Sequence, residues 1–480
     1  MPLQQTAKGN RESGANPERS RHCNRKVLFS LMSLEKSGKT KKARRSVSQE
    51  TYPGLIPYDA FAERKGGRRQ SSLCCFFVLF SHTQALFLAI RTGLSFCADK
   101  KERRWNIEAS VCRMDKKKRG SSFVFSAVFR ANKQGYLYLL MGLAVFLLFS
   151  ITWSITLGPV NMPAVTAWKI ILSHAPWVDN YIEADWNKAQ EHIIWNIRVP
   201  RVLLGTVTGA GLAVAGVVIQ ALVRNSLADP YILGVSSGAS VVATLVILFG
   251  ALPVFGQYAL TTGAFTGAMI AMGAVYIIAQ EGGKILTTRL LLAGVAVSMT
   301  LSAVTNFIVT LAPKESGIRE VMFWMMGSLA GAKWEHLAIP TLIIAGSVLF
   351  LLSASSSLNA LLMGEEAAGT LGVNTDVFRK ILIVVASLIT GAVVAVSGSI
   401  GFVGLMVPHL ARLLLGSDHK RVIPVSALLG MLVVIWSDTA ARLLLAPEEL
   451  PIGVVTAFCG GPFFIWLLRH SSYSFGGGGR

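Results

Sequence analysis

From residue 135 onward the chain is written in long, unbroken apolar runs separated by short polar connections. Ten runs stand out, at 135–157, 202–223, 231–249, 259–279, 290–311, 337–352, 377–396, 400–415, 425–445 and 452–468. Most are close to the roughly 17–25 residues that carry a helix across a bilayer; the sixth and eighth are short. Continuous runs favour helices over a barrel, whose strands would alternate apolar and polar positions. The pattern predicts an all-α membrane protein of about ten transmembrane helices. The connection after the first run is the longest outside segment and carries Asp179, Glu183, Asp185 and Glu191, which suggests a surface-lying element there.

Composition supports the same class. The chain is 52% hydrophobic and only 15% charged, whereas a soluble domain carries about 25% charged residues. Its 45 glycines suit close helix packing in a bilayer. A net charge of +20 invites a nucleic-acid reading, but its distribution excludes one. Residues 1–113 hold 22 Lys/Arg against 9 Asp/Glu, so +13 of the +20 sits there. Beyond them the charges lie in loops between apolar runs. With the Met114 end inside, inner segments hold 16 Lys/Arg and outer ones eight, which places both termini in the cytoplasm.

Two compositions meet near Met114. Residues 1–113 are basic and aperiodic apart from an interrupted apolar stretch at 73–90, and five of the six cysteines lie there. Lys116, Lys117, Lys118 and Arg119 then precede the first long run, as at the start of a membrane domain on its cytoplasmic side. We read 1–113 as a disordered or non-homologous extension and 114–480 as the transmembrane domain. Residues Ser33 to Thr40 end like a phosphate-binding loop. However, Ser33 stands where the loop needs glycine, and a basic run replaces the following apolar helix. No Cys or His spacing suggests a metal site, and no cofactor is expected. Cys459 and His409 read as packing residues.

Three stretches are too specific for generic membrane filler. They are Gln220 to Ala239 (QALVRNSLADPYILGVSSGA), Met363 to Val373 (MGEEAAGTLGV), and Gly398 to Arg412 (GSIGFVGLMVPHLAR) followed by Glu449 to Ala457 (ELPIGVVTA). Asp229-Pro230 is a natural stop before a new helix. Gly364 and Gly372 bracket a short piece whose leading carboxylates suit a helix N-terminus. Asp438 is the one carboxylate well inside a run, with Arg442 one helical turn away and able to pair with it. A weak internal echo relates Thr208–Gly216 to Thr390–Gly398.

In order and spacing these stretches resemble the FecCD-type permeases of type II ABC importers for iron–siderophore complexes, haem and cobalamin. The resemblance covers about residues 135–469. One departure is Ser226, where the family usually has proline. The resemblance implies a ten-helix subunit beside a second permease copy or a paralogue. Two ATPase subunits sit below, an extracytoplasmic substrate-binding protein docks outside, and the assembly sits in a bacterial cell membrane. ATP is hydrolysed by the separate subunit, so the chain is not itself an enzyme.

The resemblance also implies residue roles. Gly364, Glu365, Glu366, Ala367, Leu371 and Gly372 form the coupling segment that meets the ATPase. Asn225, Asp229, Pro230, Gly234 and Gly238 shape a turn and gate. Arg198, Arg201 and Arg442, disfavoured on the outside by topology, face glutamates of the binding protein; local pairing, of Arg442 with Asp438 above all, is the competing reading. An iron–siderophore cargo is expected, with cobalamin or haem as alternatives. An ion-coupled secondary transporter is the rival class, and the scarcity of charge within the runs weighs against it.

Overall fold

The computed structural model describes residues 133–160, 162–174 and 184–470. The basic segment 1–113, with its loop-like Ser33 to Thr40, and the acidic Asp179 and Glu183 lie outside the described residues.

Each of the ten apolar runs contains a helix. The first is α1 (Lys133–Thr156). The connection after it carries the ten-residue α2 (Ala164–Ser173) and the single turn α3 (Lys188–Glu191). Asn187 and Gln190 cap α3 reciprocally, each side chain meeting the other's backbone N–H. A π-helical stretch, His192–Arg198, then feeds directly into α4 (Val199–Val223). The chain continues through α5 (Val235–Phe249), α6 (Ala259–Ala279), α7 (Thr287–Thr310), α8 (Glu315–Met325) and α9 (Ala338–Ser353). It ends with α10 (Ser355–Leu362), α11 (Glu365–Thr370), α12 (Thr375–Ser397), α13 (Val403–Leu415), α14 (His419–Leu443) and α15 (Ile452–His470). Between α6 and α7 lies a hairpin of two-residue strands, β1 (Gln280–Glu281) and β2 (Lys284–Ile285).

Eight of these helices, with any helical turns that run into them, are long and apolar enough to cross a membrane, whereas α5 and α13 have only 15 and 13 residues. Large apolar side chains such as Val145, Leu148, Ile270, Ile277, Leu342 and Leu349 are exposed, as lipid-facing surfaces require.

Helix α4 runs through the middle, and almost every residue in it is buried. Its small residues explain how. A methyl group on Gly209 would lie 2.2 Å from the Gly430 carbonyl oxygen of α14, and one on Gly216 would lie 1.9 Å from that of Gly404 in α13. With little hydrophobic drive between helices in lipid, such close backbone approach supplies the packing energy. Helices α5 and α6 meet the same way through Gly238 and Gly267. The C-terminal half of α1 is held to α14 by a Ser154–Thr439 hydroxyl pair at 2.8 Å and by Trp436 Nε1 donating to Ser150 Oγ at 3.1 Å.

Candidate functional site

The segment expected to meet the ATPase is a short helix, α11, set between two glycines of positive φ. Gly364 and Gly372 have φ of +119° and +81°, and nothing lies within 4 Å of where a side chain would stand. These are backbone angles rather than packing sites, and L side chains resist them. Between them α11 buries Ala368, while Leu371 just after the helix and Met363 just before Gly364 are 63% and 71% exposed. Glu365 opens the helix. Its Oε1 accepts from Arg379 Nη2 and lies 3.6 Å from Arg224 Nη2. Glu366 and Ala367 lie within α11, Glu366 on the exposed side.

The run at 231–249 is not one continuous span. Pro230–Leu233 forms a 3-10 turn, Gly234 adopts φ +77°, and α5 begins only at Val235. Pro230 lies beside Gly404, which in turn lies against Leu212 and Gly216. Those residues are seven to eleven positions from the C-terminal end of α4, so the turn climbs about 10–16 Å back along that helix, into the depth of the apolar layer. Irregular backbone at that depth must be enclosed by protein. Here Asp229 Oδ1 caps the turn by accepting from Tyr231 N at 2.8 Å, while Asn225 Oδ1 accepts from Leu227 N at 2.9 Å.

The run at 400–415 is shortened likewise. Phe402, at φ +68°, precedes α13, which therefore starts in mid-bilayer. The two interrupted helices are joined to each other: Tyr231 Oη donates to Ile400 O at 3.2 Å and accepts from Ile400 N at 3.1 Å. Pro408 within α13 cannot donate to the carbonyl four residues back, Gly404. Gln220 supplies the missing donor from α4, reaching Gly404 O at 3.4 Å and Leu405 O at 3.2 Å. Backbone bonds tie the loop after α8 to the end of α12 and to the start of α15. Ser328 N donates to Ser397 O, Ile452 N to Gly327 O, and Gly453 N to Met326 O.

The three arginines expected at a docking rim are turned inward. Arg198, Arg201 and Arg442 are only 5%, 5% and 4% exposed. Arg198 donates to the carbonyls of Ile155 and Thr156 at 2.8 and 2.9 Å, and also to Val160 O. Arg442 reaches Leu157 O at 2.9 Å and Ser154 O at 3.1 Å, and its Nε donates to Asp438 at 3.1 Å. Both therefore cap the C-terminal end of α1, whose last carbonyls have no helical partner and carry the negative end of the helix dipole. Arg201 donates to Asp438 and Glu449. Positive charge here balances buried carboxylates and helix carbonyls, a role that topology counting does not register.

Of the other residues singled out in the sequence, Asp438 and Arg442 do pair. His409 rests edge-on to Phe463, and Cys459 is a partly buried free thiol. Farther out, a hydrogen bond from Lys169 holds the Asp185 carboxyl below its usual range. Sequence reasoning missed Gln220, Tyr231, Arg224 and Arg379 as working residues. Only Gln220 left a signal: a long amide inside an apolar run, matched by a proline in another.

These features have counterparts in known proteins. The FecCD transport family matches residues 146–470. The cobalamin import system permease protein BtuC of Halobacterium salinarum is 46% identical over 279 residues, covering 58% of this chain and 73% of that protein. The hemin transport system permease protein HmuU of Yersinia pestis is 38% identical, covering 65% of this chain and 91% of that one. The Fe(3+)-citrate import system permease protein YfmD of Bacillus subtilis is 42% identical, over 59% and 84%. A solved inward-facing structure assigned to the metal-chelate type of ABC transporter superposes with a TM-score of 0.60 at 31% identity, covering 70% of this chain and 99% of that chain. The chain therefore belongs to the FecCD transport family, as an ABC importer permease.

Proposed function

We propose that this chain translocates an iron–siderophore complex into the cytoplasm as one permease subunit of an ATP-driven importer. It pairs with a second copy or a paralogue, sits on two ATPase subunits in a bacterial cell membrane, and receives cargo from an extracytoplasmic binding protein. The observation that carries this reading is α11, a short helix hinged on two left-handed glycines with Leu371 and Met363 exposed beside carboxylates. An exposed apolar tip on the basic inner side, outside any span, fits a protein partner better than water. Helix α7 supports a polar route: Ser302 and Asn306 are exposed beside Met299 and Phe307, and acyl chains offer an amide no hydrogen-bond partner. The inward arginines serve the same reading by fixing the outer ends of α1, α4 and α14 as one rigid surface for the binding protein.

Cobalamin is the second reading, favoured by the 46% identity to a cobalamin permease. The test is reconstitution in proteoliposomes with the partner ATPase and binding protein, comparing uptake of radio-iron siderophore, cyanocobalamin, hemin and ferric citrate. ATP-dependent uptake of the siderophore is expected. Uptake of cyanocobalamin alone would move the assignment to the second reading, and uptake without ATP would overturn the importer.

A further inference from the structure

Arg224 occupies a position that a side chain does not favour. It ends α4 in the left-handed conformation, φ 52° and ψ 34°, where glycine is the usual residue. Its N–H returns to Ala221 O and that of Asn225 to Gln220 O, so the local geometry is that of an ordinary helix end. A glycine would close this end with less strain, so the arginine side chain needs another reason. The group it meets is Glu365, the first residue of α11, at 3.6 Å.

The two partners of Glu365 differ in character. Arg379 is 5% exposed, donates to Ile285 O as well, and grips Glu365 as a fixed anchor. The Arg224 and Glu365 side chains are 35% and 50% exposed, and the pair sits near the limit of ion-pair distance. A solvated pair of that kind is weak enough to be made and broken. Arg224 is also the root of the turn that climbs into the bilayer. Beyond it Ala228 N donates to Asn225 O, and Asp229 accepts from Tyr231 N. Tyr231 then exchanges two hydrogen bonds with Ile400 at the start of the interrupted α13.

We propose that Arg224 is a positioning residue for transport, linking α11 through Glu365 to the 225–233 turn and onward to the α12–α13 bend. Arg379 is the pivot of this link, and the Arg224–Glu365 contact is its switchable joint. The inference rests on the reading that α11 meets the ATPase. It adds the route by which displacement of α11 reaches two helix breaks in mid-bilayer.

Arg224→Gly separates the linkage from a purely local role, because glycine suits the left-handed backbone while removing the contact. In the complete transporter with its ATPase and binding protein, Arg224→Gly is expected to match or exceed wild type in thermal stability. The number of ATP molecules hydrolysed per substrate imported rises about fivefold, the lower range of measured coupling between sites. Arg224→Lys keeps most of the wild-type ratio. Glu365→Gln combined with Arg224→Gly is no worse than Glu365→Gln alone, because Arg224 acts only through Glu365, which Arg379 also holds. A wild-type ratio in Arg224→Gly, or additive losses in the double variant, would overturn the linkage while leaving the importer reading intact. Uptake by the wild-type assembly without ATP would overturn both.

Discussion

Arg201 donates from Nε to both carboxylate oxygens of Asp438, at 2.9 and 3.2 Å, across 237 residues of sequence. Arg442 takes the same carboxylate from the other side at 3.1 Å, and Glu449 closes the cluster on Arg201 Nη1. One carboxylate thus ties α4 to its own helix α14 and, through Arg442, to the carbonyl end of α1. A charge so enclosed is tolerable only while every partner is present.

Asp438→Leu should therefore cost about 3–5 kcal/mol, because it takes the counter-charge from the buried Arg442 and leaves Arg201 with Glu449 alone. Thermal unfolding of the purified permease is expected to show a large fall, with Arg198→Glu and Arg201→Glu falling as well. Weaker affinity for the binding protein at unchanged thermal stability in the two arginine variants would instead return these residues to direct docking.

Gln220→Leu removes the donor that serves the carbonyls above Pro408. The expected loss is about 1–3 kcal/mol, the cost of leaving a buried acceptor unmet. Pro408→Ala in the same chain should recover much of it, since an N–H at 408 can bond Gly404 O within the helix. Additive losses in the double variant would contradict this account.

Gly216→Ala places a methyl group against the Gly404 carbonyl and forces α4 from α13. Overpacking of this kind costs about 1–3 kcal/mol. Gly273→Ala, with nothing within 4 Å, is the matched control and should unfold as wild type does. The contrast is read by thermal unfolding of the two variants side by side.

Gly364→Val and Gly372→Val act on backbone angles rather than on packing. Forcing a side chain into the left-handed region costs roughly 1–2 kcal/mol per residue, which α11 relieves by changing its hinge. Uptake should fall relative to ATP hydrolysis in reconstituted vesicles, while the permease elutes as a folded species. Normal uptake and normal substrate-stimulated hydrolysis would count against a hinge role.

Hydropathy along the chain was enough to find the ten helices, because crossing a bilayer demands long apolar runs whatever their neighbours are. Lys/Arg counting assigned a sidedness, since topology is set by charges near the ends of spans. The motifs around Asn225, Gly364 and Gly398 were legible too, as glycine, proline and carboxylates mark breaks and helix starts locally. The depth of the break at Gly234, the late start of α13 and the direction of the Arg198 and Arg201 side chains were not. Each depends on partners remote in sequence: Tyr231 on Ile400, Gln220 on Gly404, Arg201 on Asp438. A buried charge and an exposed one are the same letter in a sequence. Which it becomes is decided when packed helices either bring it a counter-charge and carbonyl oxygens or leave it in water, and that is a property of the tertiary structure alone.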